Sequence, residues 1–321
     1  MPKIFLADLS DGYEQAIAGA LDYITFPGQL RSGLRVAIKP NLTFPEYRPG
    51  VMTNPEAVRA LVARLSEVGC RVTICEADSG GYNRFSMNEV FRVTGLADMA
   101  AEYGARLVNL SYQPSRLIEV SCGLRRLKVP LPRLLVEETD LFITMPVPKV
   151  HANTVLSGAI KNQWGVIQDP AERLKLHPYF NAVIYAVNRA LPPALVIMDG
   201  KYGLNRNGPM RGEPVKLDWL LGADDLYAAD RVMAELVGMD WRRVGHLVYY
   251  SRRRGAAAWQ HIQFNTDYRK FKRARFELRR QWTDWPGWLT FHSRWLAWLG
   301  YESAMAKSLH RALYLFREPF Y

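Results

Sequence analysis

Four nitrogen side chains, Lys149, His151, Lys161 and His177, follow the apolar run Leu141-Phe-Ile-Thr within one short stretch of the 321-residue chain. A lysine withdrawn from water or crowded by cations gives up its proton more readily and can serve as base or nucleophile. Histidine moves protons near neutral pH or ligates a metal. The apolar run reads as a buried strand, so the four side chains fall in a strand-to-helix connection and its sequel. A fifth, Lys39, ends the strand-like run from Leu34, where Pro40 turns Lys39 and Asn41 into a loop. Singly, each residue has a bland explanation as a solvated lysine or a structural histidine. Their joint placement after apolar strands favours a basic pocket for an anion, with His151 and Lys161 catalytic and Lys39, Asn41 and Lys149 as contacts.

Further polar residues end other strands. Arg71-Val-Thr-Ile-Cys-Glu76 runs into Asp78-Ser79-Gly-Gly81, whose small residues allow close backbone approach to a ligand or make a plain tight turn. Pro193 to Asp199 reads as another buried strand, followed by a glycine-rich polar loop through Asn207 and Pro209 to Pro214. Asp78 and Asp199 could orient an imidazole, bind a hydroxyl or ligate a cation, or they could cap a turn. Asp78, Ser79, Asp199 and Asn207 therefore join the expected substrate contacts.

The elements that would position these residues alternate. Helical spacing over Asp11–Tyr23, over a capped segment Thr53-Asn-Pro-Glu56 to Gly69, over Met87–Tyr103 and over Phe180–Ala190 separates the strand-like runs. Arg59 lies off the apolar stripe of the second helix, as a surface charge or an anion contact. Residues 111–135 read as a hairpin-like excursion. This order predicts an α/β fold with a doubly wound, mainly parallel sheet, whose ligands sit at the carboxyl ends of its strands.

Cys70, Cys75 and Cys122 form no CxxC pair and cannot alone hold a four-thiolate cluster. They read as reduced thiols of a cytoplasmic protein. The first residues show no leader pattern, and no run of about 18 apolar residues predicts a spanning helix. P-loop, GxGxxG and GxSxG signatures are absent from the sequence.

Five segments in order resemble the domain-of-unknown-function family 362: Ile38-Lys-Pro-Asn-Leu42, Thr53-Asn-Pro-Glu56, Lys149-Val-His151, Ser157-Gly-Ala-Ile-Lys161-Asn162, and Met198-Asp-Gly200 with Asn207-Gly-Pro209. The resemblance spans residues 34–238 and implies no particular reaction. Many members carry a ferredoxin-like domain with cysteine clusters; this sequence has none, so no iron–sulfur cluster is expected. A second resemblance lies in spacing. His151 and Lys161 are ten apart and Lys161 and His177 sixteen, as in lactate-racemase-type enzymes. That resemblance implies a nickel-pincer nucleotide tethered to Lys161, His177 as metal ligand and His151 as acid/base; otherwise the cofactor is unknown.

The net charge of +11 is unevenly placed. From Trp241 onward there are 16 Lys+Arg and 5 Asp+Glu, which leaves 26 of each before it, and seven of the nine tryptophans lie there. We place a boundary near Gly238, between an α/β domain (1–238) and a basic, tryptophan-rich helical C-terminal region (239–321). Tryptophan favours the membrane interface, and Lys and Arg are drawn to anionic headgroups. The expectation is peripheral attachment at the inner face of the membrane. Nucleic-acid binding is the rival, disfavoured because no recognised module is present, and an accessory helical subdomain whose tryptophans pack on the core or on a second protomer is the bland reading. The functional expectation is an enzyme of racemase, epimerase or oxidoreductase type acting on an anionic, lipid-linked or hydroxy-acid-like substrate. Its competitor is a non-catalytic binder of an anionic ligand.

Overall fold

The computed structural model of the chain describes residues 1–79, 85–254 and 259–315; Gly80, Gly81 and the end of the C-terminal region lie outside them. Apolar runs bounded by Gly, Pro and Asp make the strands. In chain order these are β1 (Lys3–Asp8), β2 (Arg35–Pro40), β3 (Arg71–Glu76), β4 (Arg106–Asn109), β5 (Ser115–Cys122), β6 (Arg125–Pro132), β7 (Leu141–Met145), β8 (Lys149–His151), β9 (Val155–Ser157), β10 (Leu195–Asn205), β11 (Glu213–Ala223) and β12 (Gln263–Phe264). The main sheet has the order β12-β1-β11-β10-β7-β2-β3-β4, and β8 with its partner β9 attaches to β10. Strands β10, β7, β2, β3 and β4 are parallel, whereas β11 runs antiparallel to β10 and β1. β5 and β6 form the separate hairpin expected after Ser111.

The helices are α1 (Tyr13–Ile24), α2 (Pro55–Glu67), α3 (Met87–Val93), α4 (Leu96–Glu102), α5 (Arg133–Glu137), α6 (Ala159–Asn162), α7 (Pro170–Lys175), α8 (Phe180–Ala190), α9 (Leu226–Leu236), α10 (Gly245–Arg254), α11 (Trp285–His292), α12 (Arg294–Tyr301) and α13 (Ala306–Tyr314). Successive strand residues face opposite sides of a sheet, so a strand covered on both faces is apolar throughout. Ile38, Ile74, Ile143 and Ile197 pack with Ile17 and Leu21 of α1, Leu61 and Leu65 of α2 and Phe91 of α3. Their neighbours Ala37, Cys75, Phe142 and Val196 pack on the other face with Ile160 of α6, Val183 and Val187 of α8 and Val232 of α9. The sheet is thus doubly wound and mainly parallel, as expected.

Several local expectations are corrected. Asn54, not Thr53, caps α2 by accepting from the Glu56 amide at 2.9 Å. The Thr53 hydroxyl instead donates to Met145 O (2.7 Å) and accepts from the Asn41 amide (2.8 Å), pinning the two loops together. The Met87–Tyr103 segment splits at Gly95, whose φ of +76° no helix interior accommodates. The polar stretch after Asp199 is mostly strand: β10 continues to Asn205 and returns as β11, with a register irregularity between Gly200 and Tyr202. Arg59 pairs with Glu102 on the surface at 2.6 Å.

Beyond Gly238 the chain is mostly helical, yet it is joined to the sheet. β12 pairs in parallel with β1, and the Asn265 side chain accepts from Leu6 N (2.8 Å) and donates to Leu6 O (3.0 Å). Phe271, Phe276 and Phe291 join the core.

Gly200 lies under the fully buried Trp219 indole, and a Cβ there would stand 2.2 Å from the ring. Gly200→Ala should lower unfolding free energy by about 1–3 kcal/mol, read as a reduced denaturant midpoint at unchanged slope.

Candidate functional site

The site begins with one ion pair. Lys39 at the end of β2 and Glu76 at the end of β3 are both buried, and Lys39 Nζ donates to Glu76 Oε2 at 2.7 Å. A buried charge needs a partner and saturated hydrogen bonding, and both are supplied here. Glu76 Oε1 accepts from the Ala77 amide (3.0 Å), and Lys39 reaches Pro40 O and Asn162 Oδ1, each at 3.3 Å. Asn162 in turn donates to Thr144 Oγ1 (2.8 Å) and Lys39 O (3.2 Å), which locks α6 to β2 and β7. Gly165 leaves room for the pair; a Cβ there would come within 2.7 Å of Glu76 Oε1 and 2.9 Å of Lys39 Nζ.

Over this pair opens a cavity of about 140 Å³ lined by Lys39, Asn41, Ser79, Lys149, Lys161 and Arg173, among others. Lys149 Nζ donates to Asn41 Oδ1 and to Val51 O (2.5 Å). Burial, reinforced by the charges of Lys161 and Lys39, pushes Lys149 down to about 7. Lys161 makes no hydrogen bond or ion pair among the described residues, and its Nζ lies 5.9 Å from the Phe180 ring. Burial, with Arg173 and Lys39 as cationic neighbours, lowers it to about 7 as well. Arg173 donates to Asp78 O, while its Nε is buried without a partner among the described residues; burial lowers its pKa too. Four cations thus face one carboxylate, an arrangement that an entering anion would balance.

The histidines stand behind this wall and do not line the cavity. His151 Nδ1 accepts from the Asn153 (3.1 Å) and Thr154 (3.4 Å) amides, so the neutral ring carries its proton on Nε2. Burial holds its pKa well below the usual imidazole range, with Lys161, His177 and Lys149 adding to the effect. His177 stacks on Trp164 (5.9 Å) and touches Phe291 (4.9 Å), and its Nδ1 is buried without a partner among the described residues. His246, which carried no signal in the sequence, packs edge-on to Phe180, and its buried Nδ1 likewise has no partner among the described residues. Burial and the charge of Lys161 bring both His177 and His246 to about 3.

Of the other expected contacts, Ser79 lines the cavity and donates to Thr43 O at 3.2 Å. Asp78 braces it instead: its Oδ1 accepts from the Met87 amide (2.6 Å) and Asn109 Nδ2 (2.8 Å). Asp199 is not brought to the cavity. It accepts from Tyr13 Oη (2.8 Å), Asn54 N (2.7 Å) and Lys201 N (3.1 Å), tying α1 and α2 to β10. Asn207 is buried in the β10–β11 turn beside Pro209 and Met210, which do line the cavity.

Reasoning from sequence missed Glu76, Arg173 and Asp230. Glu76 could have been found by asking what neutralises a lysine that ends a buried strand. Arg173 and Asp230 carry no such signal, being placed by tertiary packing. Asp230 of α9 is fully buried and accepts from the Ala159 (2.6 Å) and Ile160 (3.0 Å) amides at the start of the short helix that carries Lys161. Burial raises it to about 7. A Cβ at Gly158 would lie 2.3 Å from its Oδ1.

For a nickel-pincer nucleotide, Lys161 would be the tether and His177 the ligand. The cavity has room for a small anion only, whereas nucleotide-sized ligands need roughly 300 Å³ or more. Among the described residues no three His, Cys, Asp or Glu gather as metal ligands. The group does not fit the cavity. The buried pair has its own signature. Lys39→Met strands Glu76 and should cost about 3–5 kcal/mol by denaturant unfolding, whereas Lys39→Met/Glu76→Leu should recover more than half of that loss.

Comparison with known proteins places the chain among relatives. A thylakoid-associated protein of Synechocystis sp. is 25% identical over 219 residues, covering 66% of this chain and 65% of that protein. The lactate racemase apoprotein from Thermoanaerobacterium thermosaccharolyticum aligns with a TM-score of 0.47 at 14% identity, over 73% of this chain and 56% of that one. A Thermotoga maritima protein from a structural genomics programme aligns at 0.41 and 14%, over 72% and 60%. The chain therefore spans just under two thirds of the length of the curated relative it matches. The profile of the domain of unknown function (DUF362) matches residues 36–235, close to the span the five segments outlined, and the chain belongs to that family.

Proposed function

We propose that this protein is an enzyme that binds a small anionic substrate at the Lys39–Arg173 cavity and transfers a proton with Lys161. The observation that carries the reading is Lys161 itself: an amine facing a cavity, without a carboxylate partner among the described residues, and held near pKa 7. An amine so poised is half deprotonated at neutral pH, which is where a general base works best. Lys149 and Arg173 supply the charge that holds the anion, and the Lys39–Glu76 pair fixes the floor. His151, neutral and bonded through Nδ1 to the Asn153 and Thr154 amides, positions the β8–β9 hairpin that carries Lys149. A carboxylate or phosphate beside an acidic C–H or O–H is the substrate class that such a cavity suits.

Both lysines titrate near 7 but in opposite senses for turnover. Lys149 must keep its proton to hold the anion, so binding weakens as pH rises through 7; Lys161 must lose its own to act, so the chemical step fades as pH falls through 7. The dependence of kcat/KM on pH should therefore be bell-shaped around neutrality. Solvent-deuterium exchange into a panel of 2-oxo and 2-hydroxy acids, followed by NMR, reads this directly. Lys161→Met should slow exchange by about 10²-fold or more. Exchange indifferent to that substitution would remove Lys161 from the chemistry.

The C-terminal helices support peripheral attachment to an anionic membrane. Trp282, Trp285 and Leu289 form one exposed stripe of helical spacing, and Trp295 and Trp298 a second, while Phe291 and Ala297 face inward. Arg279, Arg280, Arg294 and Lys307 flank these stripes. Interfacial helices combine aromatic anchors with cations in this way. No helix of the described residues is long and apolar enough to cross a membrane. The Synechocystis relative is a thylakoid-associated protein, which agrees with this reading. Trp285→Ala/Trp298→Ala should abolish flotation with phosphatidylglycerol vesicles while leaving the denaturant midpoint unchanged. Flotation that persists, or that ignores anionic lipid, would refute attachment by this face.

A further inference from the structure

The β8–β9 hairpin serves two cavities. Lys149 and Ser157 line the pocket described above, and Val155 lines a second groove of about 870 Å³ between the 238–243 turn and the 275–280 segment. Val155 adopts φ +70°, an uncommon conformation for a β-branched side chain and one that tight surroundings must enforce.

Four arginines line this groove, Arg206, Arg243, Arg275 and Arg280. Arg206 is neutralised by Glu277 at 2.5 Å and Glu213 at 3.4 Å. Glu277 is shared further with Arg279 at 2.9 Å. The second acid on the lining, Asp240, accepts through Oδ1 from the Arg242 amide (3.0 Å) and guanidinium (3.5 Å). Among the described residues Arg243 and Arg275 have no carboxylate at ion-pair distance. Arg280 spends its Nε on Ala152 O at 2.7 Å, and its remaining nitrogens make no hydrogen bond among the described residues. Burial lowers its pKa; the Asp284 carboxylate opposes this, and the charge of Arg243 adds to it. Phe276, Leu278 and Met239 supply an apolar floor.

Arg243 and Arg275, with no acid at ion-pair distance among the described residues, and Arg280, offset only by Asp284, leave the groove net positive, which favours an entering anion. The planar guanidinium fork matches phosphate oxygens in bidentate fashion, and three forks exceed what a single carboxylate could satisfy. The volume and the apolar floor leave room for an organic remainder beyond the phosphate. We infer that Arg243, Arg275 and Arg280 form a second ligand site, specific for a phosphate monoester, carried either by an anionic lipid headgroup or by a soluble metabolite. The site is independent of proton transfer at Lys161.

The full chain would be titrated with glycerol 3-phosphate by calorimetry and tested for flotation with phosphatidylcholine vesicles carrying phosphatidic acid. Three variants accompany it: Arg243→Ala/Arg275→Ala, Arg243→Lys/Arg275→Lys, and Arg252→Ala/Arg253→Ala as an equal change of net charge outside the groove. At least one probe should bind. The alanine pair in the groove should weaken it by about tenfold or more, the lysine pair by less, and the 252/253 pair should leave it unchanged. Binding of vesicles alone identifies a lipid headgroup as the source, and binding of glycerol 3-phosphate a soluble one. Equal weakening by the two alanine pairs, or binding of neither probe, overturns the site.

Discussion

A lysine and a glutamate taken out of water at the ends of two adjacent parallel strands constrain everything around them. Lys39 and Glu76 are acceptable inside the protein only because each is paired and further bonded. Asn162 has to come from α6, the Ala77 amide has to turn inward, and residue 165 has to lack a side chain. With that floor fixed, Lys149, Lys161 and Arg173 are arranged above a carboxylate that is already engaged. Burial lowers both lysines and their cationic neighbours add to it, which is why two ordinary lysines titrate near neutrality.

Much of this was legible in the chain before folding. The alternation of apolar strand and amphipathic helix specifies a doubly wound sheet, and strand ends in such sheets converge by topology alone. Lys39, Asn41, Ser79, Lys149 and Lys161 meet for that reason. The histidines were harder to place, since the direction of a side chain in a hairpin or a short 3₁₀ turn is not set by spacing: His151 turns to the backbone amides beside it, and His177 to Trp164. Asp199 sits at the expected level of the sheet, but a helix N-terminus and a tyrosine reached it first. Arg173 and Asp230 become visible only when packing brings α7 and α9 over α6.

The C-terminal region is more than a basic tail. Phe291 of α11 packs against His177 and Phe180, which back the wall behind Lys161, while the opposite side of the same helix presents Trp285 and Leu289 to solvent. One short helix thus has an inner face given to the pocket and an outer face given to the surroundings. Removing the region would uncover part of the core along with its tryptophans, so point substitutions on the outer face separate the two roles where truncation would not.

The pairing of β12 with β1 bears on how the chain is made. Leu6 exchanges hydrogen bonds with Asn265 across 259 residues of sequence, and the other neighbour of β1 is the late strand β11. At about 5–20 residues per second, synthesis reaches Asn265 on the order of ten to fifty seconds after Leu6 has been made. The first strand off the ribosome is thus completed among the last, with both edges unpaired in the interval.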